Sequence, residues 1–143
     1  MDRSGRIPAE MGPVADDVWT APFWAAAREH RLVVAQCAVC ARFRIPPTPF
    51  CPSCTSQSLD WPELPGTASL FTYTIVRHAV VPALTSAVPY VVGLVELDGA
   101  PGVRLVTNIV DCDPDFLRVG DPLEVVWDDL GDDRTVPRFR PSR

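Results

Sequence analysis

The sequence predicts a mainly β chain in three parts: an N-terminal helix, a rubredoxin-like zinc ribbon and a C-terminal OB-fold barrel. Two observations carry this. Cys37, Cys40, Cys51 and Cys54 read C-A-V-C, ten residues, then C-P-S-C. Two C-x-x-C pairs this close make one tetrahedral zinc site. Behind them, five short runs of β-formers fall within about 75 residues, which suits a small closed barrel of the five-stranded OB type.

The expected boundaries are a flexible arm over 1–18, helix plus ribbon over 19–61, and the barrel over 62–143. The helix is expected over residues 21–29, with Thr20 as N-cap and Pro22 in its first turn. It carries Phe23, Trp24 and Ala27, with Trp19 just before it. So dense an apolar group either packs on the chain's own ribbon or docks on a partner. Trp19, Phe23 and Trp24 are therefore the candidate partner-binding residues.

Residues 32–36 read as a strand into the first metal turn, and 42–45 return from it. Pro46, Pro47, Pro49 and Pro52 stiffen the way to the second turn, and 58–61 leave it. Residues 37–54 are too few to bury a core, so the metal is expected to replace one there. A structural zinc contributes about 10–16 kcal/mol of apparent folding free energy.

Residues 62–66 are a linker. The first barrel strand is expected over 69–77, with Phe71, Tyr73 and Ile75 on one face. The second covers 90–97, with Gly93 as a bend or bulge. The third covers 103–110. Asp121 and Pro122 make a turn before the fourth, 123–127, and 136–140 form the fifth.

Composition narrows the function. The chain has 143 residues, 47% of them hydrophobic, and a net charge of −5. Residues 1–60 hold six Arg against six Asp and Glu; residues 61–143 hold seven against twelve, and there is no Lys. So acidic a barrel is a poor general binder of phosphate backbones, whose affinity comes from neutralising cations. With abundant Ala, Pro and Val, the lack of Lys reads as a high-GC coding bias. Residues 1–13 contain no apolar run of a signal peptide, and no stretch approaches the roughly 18 apolar residues of a membrane span. The expected setting is a reducing cytoplasm, where C-x-x-C pairs hold metal more often than they form disulfides.

Four thiolates leave zinc no open position for water, so the site is expected to be structural. A metal-free ribbon and a rubredoxin-like iron carrier are the alternatives at these cysteines. Cys112 lies in D-C-D-P-D, where carboxylates oppose thiolate formation. His30 follows the helix and can meet its C-terminal dipole. His78 ends the first barrel strand and is the histidine best placed to face a partner. The Val- and Pro-rich loop 79–90, ending at Tyr90, is either a plain connection or a surface along a bound ligand or partner. Arg138, Phe139, Arg140 and Arg143 form the one basic cluster of the acidic half, either a solvated tail or a grip on phosphates or partner carboxylates. The sequence shows no Ser-His-Asp or Cys-His arrangement and no glycine-rich phosphate loop.

The order of parts is itself informative. T-A-P-F-W-A-A-A-R is followed by C-A-V-C-A-R-F-R-I-P-P-T-P-F-C-P-S-C, then G-T-A-S-L-F-T-Y-T, V-P-Y-V-V-G-L-V-E-L-D, G-D-P-L-E-V-V-W and V-P-R-F-R-P. Across roughly residues 19–142 this resembles the zinc-ribbon plus OB-fold accessory proteins that accompany thiolase-like enzymes of acyl-CoA metabolism. The resemblance implies a non-catalytic subunit that binds a thiolase-fold or hydratase-like enzyme and stabilises it or completes its acyl-CoA site, with His78, Tyr90, Arg138, Phe139 and Arg140 as the candidate contacts to acyl-CoA or partner. One branch serves thiolase-like aldolases that shorten the side chains of steroid-CoA substrates, and the high-GC bias points to that branch. Ala41 and Thr55 depart from many zinc ribbons, which place Gly after the second Cys of each turn. The competing function is a single-stranded nucleic-acid-binding module, with Phe71 and Tyr73 as stacking platforms. The acidic balance argues against it.

Overall fold

The computed structural model describes residues 5–12 and 17–142. Arg143 of the expected basic cluster lies outside the described residues. No described helix is long and apolar enough to cross a membrane.

Of the expected flexible arm over 1–18, residues 1–4 and 13–16 lie outside the described residues. Residues 5–12 lie along the barrel and are tied to it. The Gly5 amide donates to Ala87 O. The Ile7 amide donates to Asn108 Oδ1 at 3.0 Å, and Arg138 Nη2 donates to Ile7 O at 2.9 Å. Arg134 Nη1 reaches Ala9 O in a short 3-10 turn, Ala9–Met11. These partners of residues 5–9 stand about a hundred residues away in the chain, beyond the reach of a local reading.

Helix α1 is Ala21–Arg28. Thr20 makes no side-chain cap. Asp17 does that work: its carboxylate accepts the Trp19 and Thr20 amides at 2.9 and 2.8 Å, and its carbonyl accepts the Ala21 amide. These bonds, the Thr20 amide first, hold the Asp17 carboxyl below its ordinary range. The far end closes with a Schellman motif. The His30 amide returns to Ala27 O and the Arg31 amide to Ala26 O, with His30 at φ 56°. Ala26 and Ala27 are buried, and such small side chains let α1 pack closely on the barrel.

The ribbon pairs β1 (Gln36–Cys37) with β2 (Leu59–Asp60), antiparallel, with bridges Val33–Glu63 and Gln36–Phe43. It does not rest on metal alone. Leu32, Val34 and Leu64 belong to the same buried cluster as barrel residues Leu70, Val91 and Phe139, and Phe23, Phe43 and Ile45 pack against that cluster. Helix and ribbon thus share the barrel's core.

The barrel strands are β3 (Thr67–Val76), β4 (Tyr90–Leu97), β5 (Arg104–Ile109), β6 (Pro122–Gly131) and β7 (Arg134–Pro141). They close in the order β3-β4-β5-β7-β6. All neighbours are antiparallel except β5 and β7, which run parallel and register only at Ile109–Phe139. The fourth strand runs beyond the expected 123–127, because Asp128 and Asp129 continue the ladder to a tight turn at Asp132 and Asp133.

Two strand details differ from expectation. The bulge sits in β3, not at Gly93: the register shifts between Leu70 and Thr72. Phe71 is thereby turned outward, 42% exposed, while Leu70 before it and Tyr73 and Ile75 after it face the core. Gly93 keeps regular register with Tyr73 and Thr107. Its reason is space, since a Cβ there would stand 2.7 Å from Ile109 Cδ1.

Candidate metal centre and the cavity beside it

Each C-x-x-C pair sits in the same tight turn. The Ala41 amide donates to Cys37 O and the Thr55 amide to Cys51 O, both at 2.9 Å. Ala41 and Thr55 occupy the left-handed region, φ 63° and 65°. That is where many ribbons carry glycine, so the two turns keep the conformation with side chains that strain it. Arg42 Nη1 donates to Ser53 Oγ at 2.6 Å and joins the turns.

The four sulfurs lie within 4.8 Å of one another. Cys37 Sγ to Cys54 Sγ and Cys40 Sγ to Cys51 Sγ are both 3.5 Å. Zinc with bonds of about 2.3 Å in a tetrahedron separates its sulfurs by about 3.8 Å. The donor set and its spacing fit one zinc ion.

The electrostatics point the same way. Backbone amides of Cys40 and Val39 bring the Cys37 thiol down to about 6. Amides of Cys54 and Ser53 lower Cys51 in the mirror turn. The Ser56 amide pulls Cys54 down as well, yet Cys37, burial, Cys40 and Cys51 together push it up to about 11. Four thiols crowded together resist full ionisation, and a dication at their centre removes that resistance. Zinc bound here would hold the two turns together and offer no open position for catalysis.

The other expected site residues scatter. Phe23 packs against the core, with Trp24 edge-on to it at 4.9 Å. Trp19 is half-buried and Val18 beside it 81% exposed. His78 is exposed at the start of its loop. Tyr90 is buried with Leu84 and Ala87 in a second small core. The C-terminal basic cluster is not one surface. Phe139 points into the barrel and is fully buried. Arg138 points outward but is covered, paired with Asp128 at 3.3 Å and with Ile7 O; burial lowers its pKa. Arg140 is exposed and bonded to Glu124 at 2.8 Å. Burial, then Asp111, Asp113 and Asp121, raises the Cys112 thiol, against nucleophilic use.

The proposed stacking platforms are also engaged. The Arg104 guanidinium lies 3.7 Å over the Phe71 ring, and the Tyr73 hydroxyl donates to Leu117 O.

Sequence reasoning missed a cavity of about 430 Å³ where α1, ribbon, arm and barrel meet. Arg44 lines it. Between Phe43 and Ile45, an arginine in an extended run reads as an outward residue, yet Arg44 is only 5% exposed.

A model of the ChsH2 rubredoxin-like zinc ribbon domain matches residues 24–60, and one of the ChsH2 C-terminal OB-fold domain matches residues 61–128. The chain is 42% identical over 121 residues to a probable enoyl-CoA hydratase alpha subunit of Thermomonospora curvata. That match covers 84% of this chain but only 37% of the relative. It is 30% identical over 101 residues to a DUF35 domain-containing scaffold protein of Methanothermobacter thermautotrophicus, covering 70% of this chain and 74% of that one. The solved structure of an Ltp2-ChsH2(DUF35) aldolase matches with TM-score 0.81 and 39% identity, over 90% of this chain and 98% of the chain compared.

Proposed function

Because the chain belongs to the ChsH2 family of zinc-ribbon and OB-fold proteins, we propose that it is a non-catalytic accessory subunit of a thiolase-like enzyme acting on an acyl-CoA. The observation that carries this is the likeness, over 90% of this chain, to a chain of the Ltp2-ChsH2(DUF35) aldolase. The finer reading is that the partner performs retro-aldol carbon–carbon cleavage on the side chain of a steroid-CoA thioester. The name of the Thermomonospora relative, a hydratase subunit, supports acyl-CoA as the substrate class.

In this reading zinc on Cys37, Cys40, Cys51 and Cys54 rigidifies the ribbon, and little ordering cost remains for docking. Exposed apolar side chains supply the contact. Val39 and Phe50 stand on the ribbon, 69% and 59% exposed. Trp19 and Val18 flank α1, Phe23 packs that helix on the core and half-buried Trp24 stands edge-on to Phe23, and Trp19, Phe23 and Trp24 remain its partner-binding residues in this reading. Val80, Phe116 and Val119 are exposed on two barrel loops, which an Arg77–Asp115 ion pair links at 2.8 Å. His78, exposed on the same loop as Val80, is the side chain we assign to the approach to the partner's acyl-CoA.

The test is co-purification of the tagged chain from its host, with zinc assayed on the same sample. A thiolase-fold enzyme in stoichiometric amount supports the reading. Nucleic acid, or a stable chain that turns over acyl-CoA unaided, would defeat it.

A further inference from the structure

The cavity between α1, ribbon and barrel is almost wholly apolar. Phe23 and Trp24 line it from α1, Val34 and Ile45 from the ribbon, and Trp61 and Leu105 from beyond. Two arginines also line it, and they differ. Arg138 has Asp128 and Ile7 O as partners. Arg44 donates from Nε to Thr48 O at 3.0 Å, but its Nη1 and Nη2 are enclosed by protein, with no hydrogen-bond partner among the described residues.

A guanidinium stays charged at any ordinary pH. Burying it with no protein acceptor on its outer nitrogens is strongly unfavourable, so the group calls for an acceptor from elsewhere. The missing partner must be an acceptor, and the two free nitrogens make a fork that matches a carboxylate. We infer that the cavity binds a small organic carboxylate, with its anionic head on Arg44 Nη1 and Nη2 and its apolar body against Trp24 and Trp61. Because both nitrogens are enclosed, the ligand's head reaches them only once the outer Arg44 torsions turn the fork toward the cavity, and the proposal includes that turn. Inorganic phosphate would satisfy the fork but leave the apolar walls facing water. A neutral lipid would fill the walls and leave the fork unpaired. An amphipathic acid satisfies both, and the volume lies within the roughly 300–1,000 Å³ of small-molecule pockets. The site is built from this chain alone and does not depend on the accessory role.

The test titrates decanoate and 1-decanol into the zinc-loaded full chain, followed by tryptophan fluorescence. Decanoate should bind about tenfold tighter or better, as a charge-assisted hydrogen bond requires. The signal should fall in Trp24→Phe and Trp61→Phe. Arg44→Met should erase the preference while zinc content and 1-decanol binding persist. Arg44→Lys, which keeps charge without the fork, should weaken decanoate several-fold. Equal binding of both probes, binding of neither, or a preference that survives Arg44→Met would overturn the proposal. So would phosphate competing as well as decanoate does. If Arg44→Met loses zinc, the two probes on the unaltered chain and on Arg44→Lys decide the matter.

Discussion

His30 lies flat against Trp127, ring centroids 5.7 Å apart and planes within 5°, while its Nε2 meets the Asp129 carboxylate at 3.0 Å. The residue that ends α1 is thus held by two side chains of β6. The same carboxylate accepts the Thr135 hydroxyl at 2.7 Å.

The His30 bond, ahead of the Thr135 bond, lowers the Asp129 pKa from its ordinary 3.8. The sign follows: a depressed carboxylate stabilises the fold above its unfolded value, and that contribution is lost as pH falls through the folded one. In an NMR titration, Asp129 should lose its charge below pH 3.8, and His30→Gln should move the midpoint upward. An unchanged midpoint would show that the contact is not made in solution.

Replacing Cys37 or Cys51 with Ser, or adding a chelator, should remove one zinc per chain. Because Leu32 and Val34 sit in the barrel's cluster, the whole chain should lose stability, seen as a lower melting temperature in calorimetry. A barrel melting at its original temperature after metal loss would show that the cores are uncoupled.

Ala41→Gly should stabilise the first metal turn by about 1 kcal/mol, since φ 63° costs an L-residue roughly that much. Ala41→Val should act in the opposite direction. Urea midpoints of the zinc-loaded variants check both.

Gly93→Ala should cost about 1–3 kcal/mol, because its Cβ collides with Ile109. Ile109→Val removes Cδ1, one of the two atoms in collision, so the double variant should lose less than the sum of the singles. Strict additivity in denaturant melts would refute the clash.

The elements with local signatures were legible. Four cysteines at fixed spacing defined the metal site, and runs such as Tyr90–Leu97 defined strands. What escaped depended on distant partners. Asp17 caps α1 from outside the expected boundary because its reach is set by the turn, not by apolar periodicity. The Phe71 bulge reverses which residues face inward, and alternation alone carries no sign of it. Arg138 and Arg140 share the outer face of β7, yet the arm covers only the first. Arg44 was invisible as a site residue because its cavity is assembled from helix, ribbon and barrel.

The barrel closes where β5 and β7 meet at one registered pair. Ile7 spans that gap: its amide binds Asn108 of β5, and its carbonyl takes Arg138 of β7. One residue stitches the seam where the ladder between strands is thinnest. Trimming the leading residues to tidy an expression clone would therefore cut a rung, and amide exchange along β5 and β7 would report the opening before any melt does.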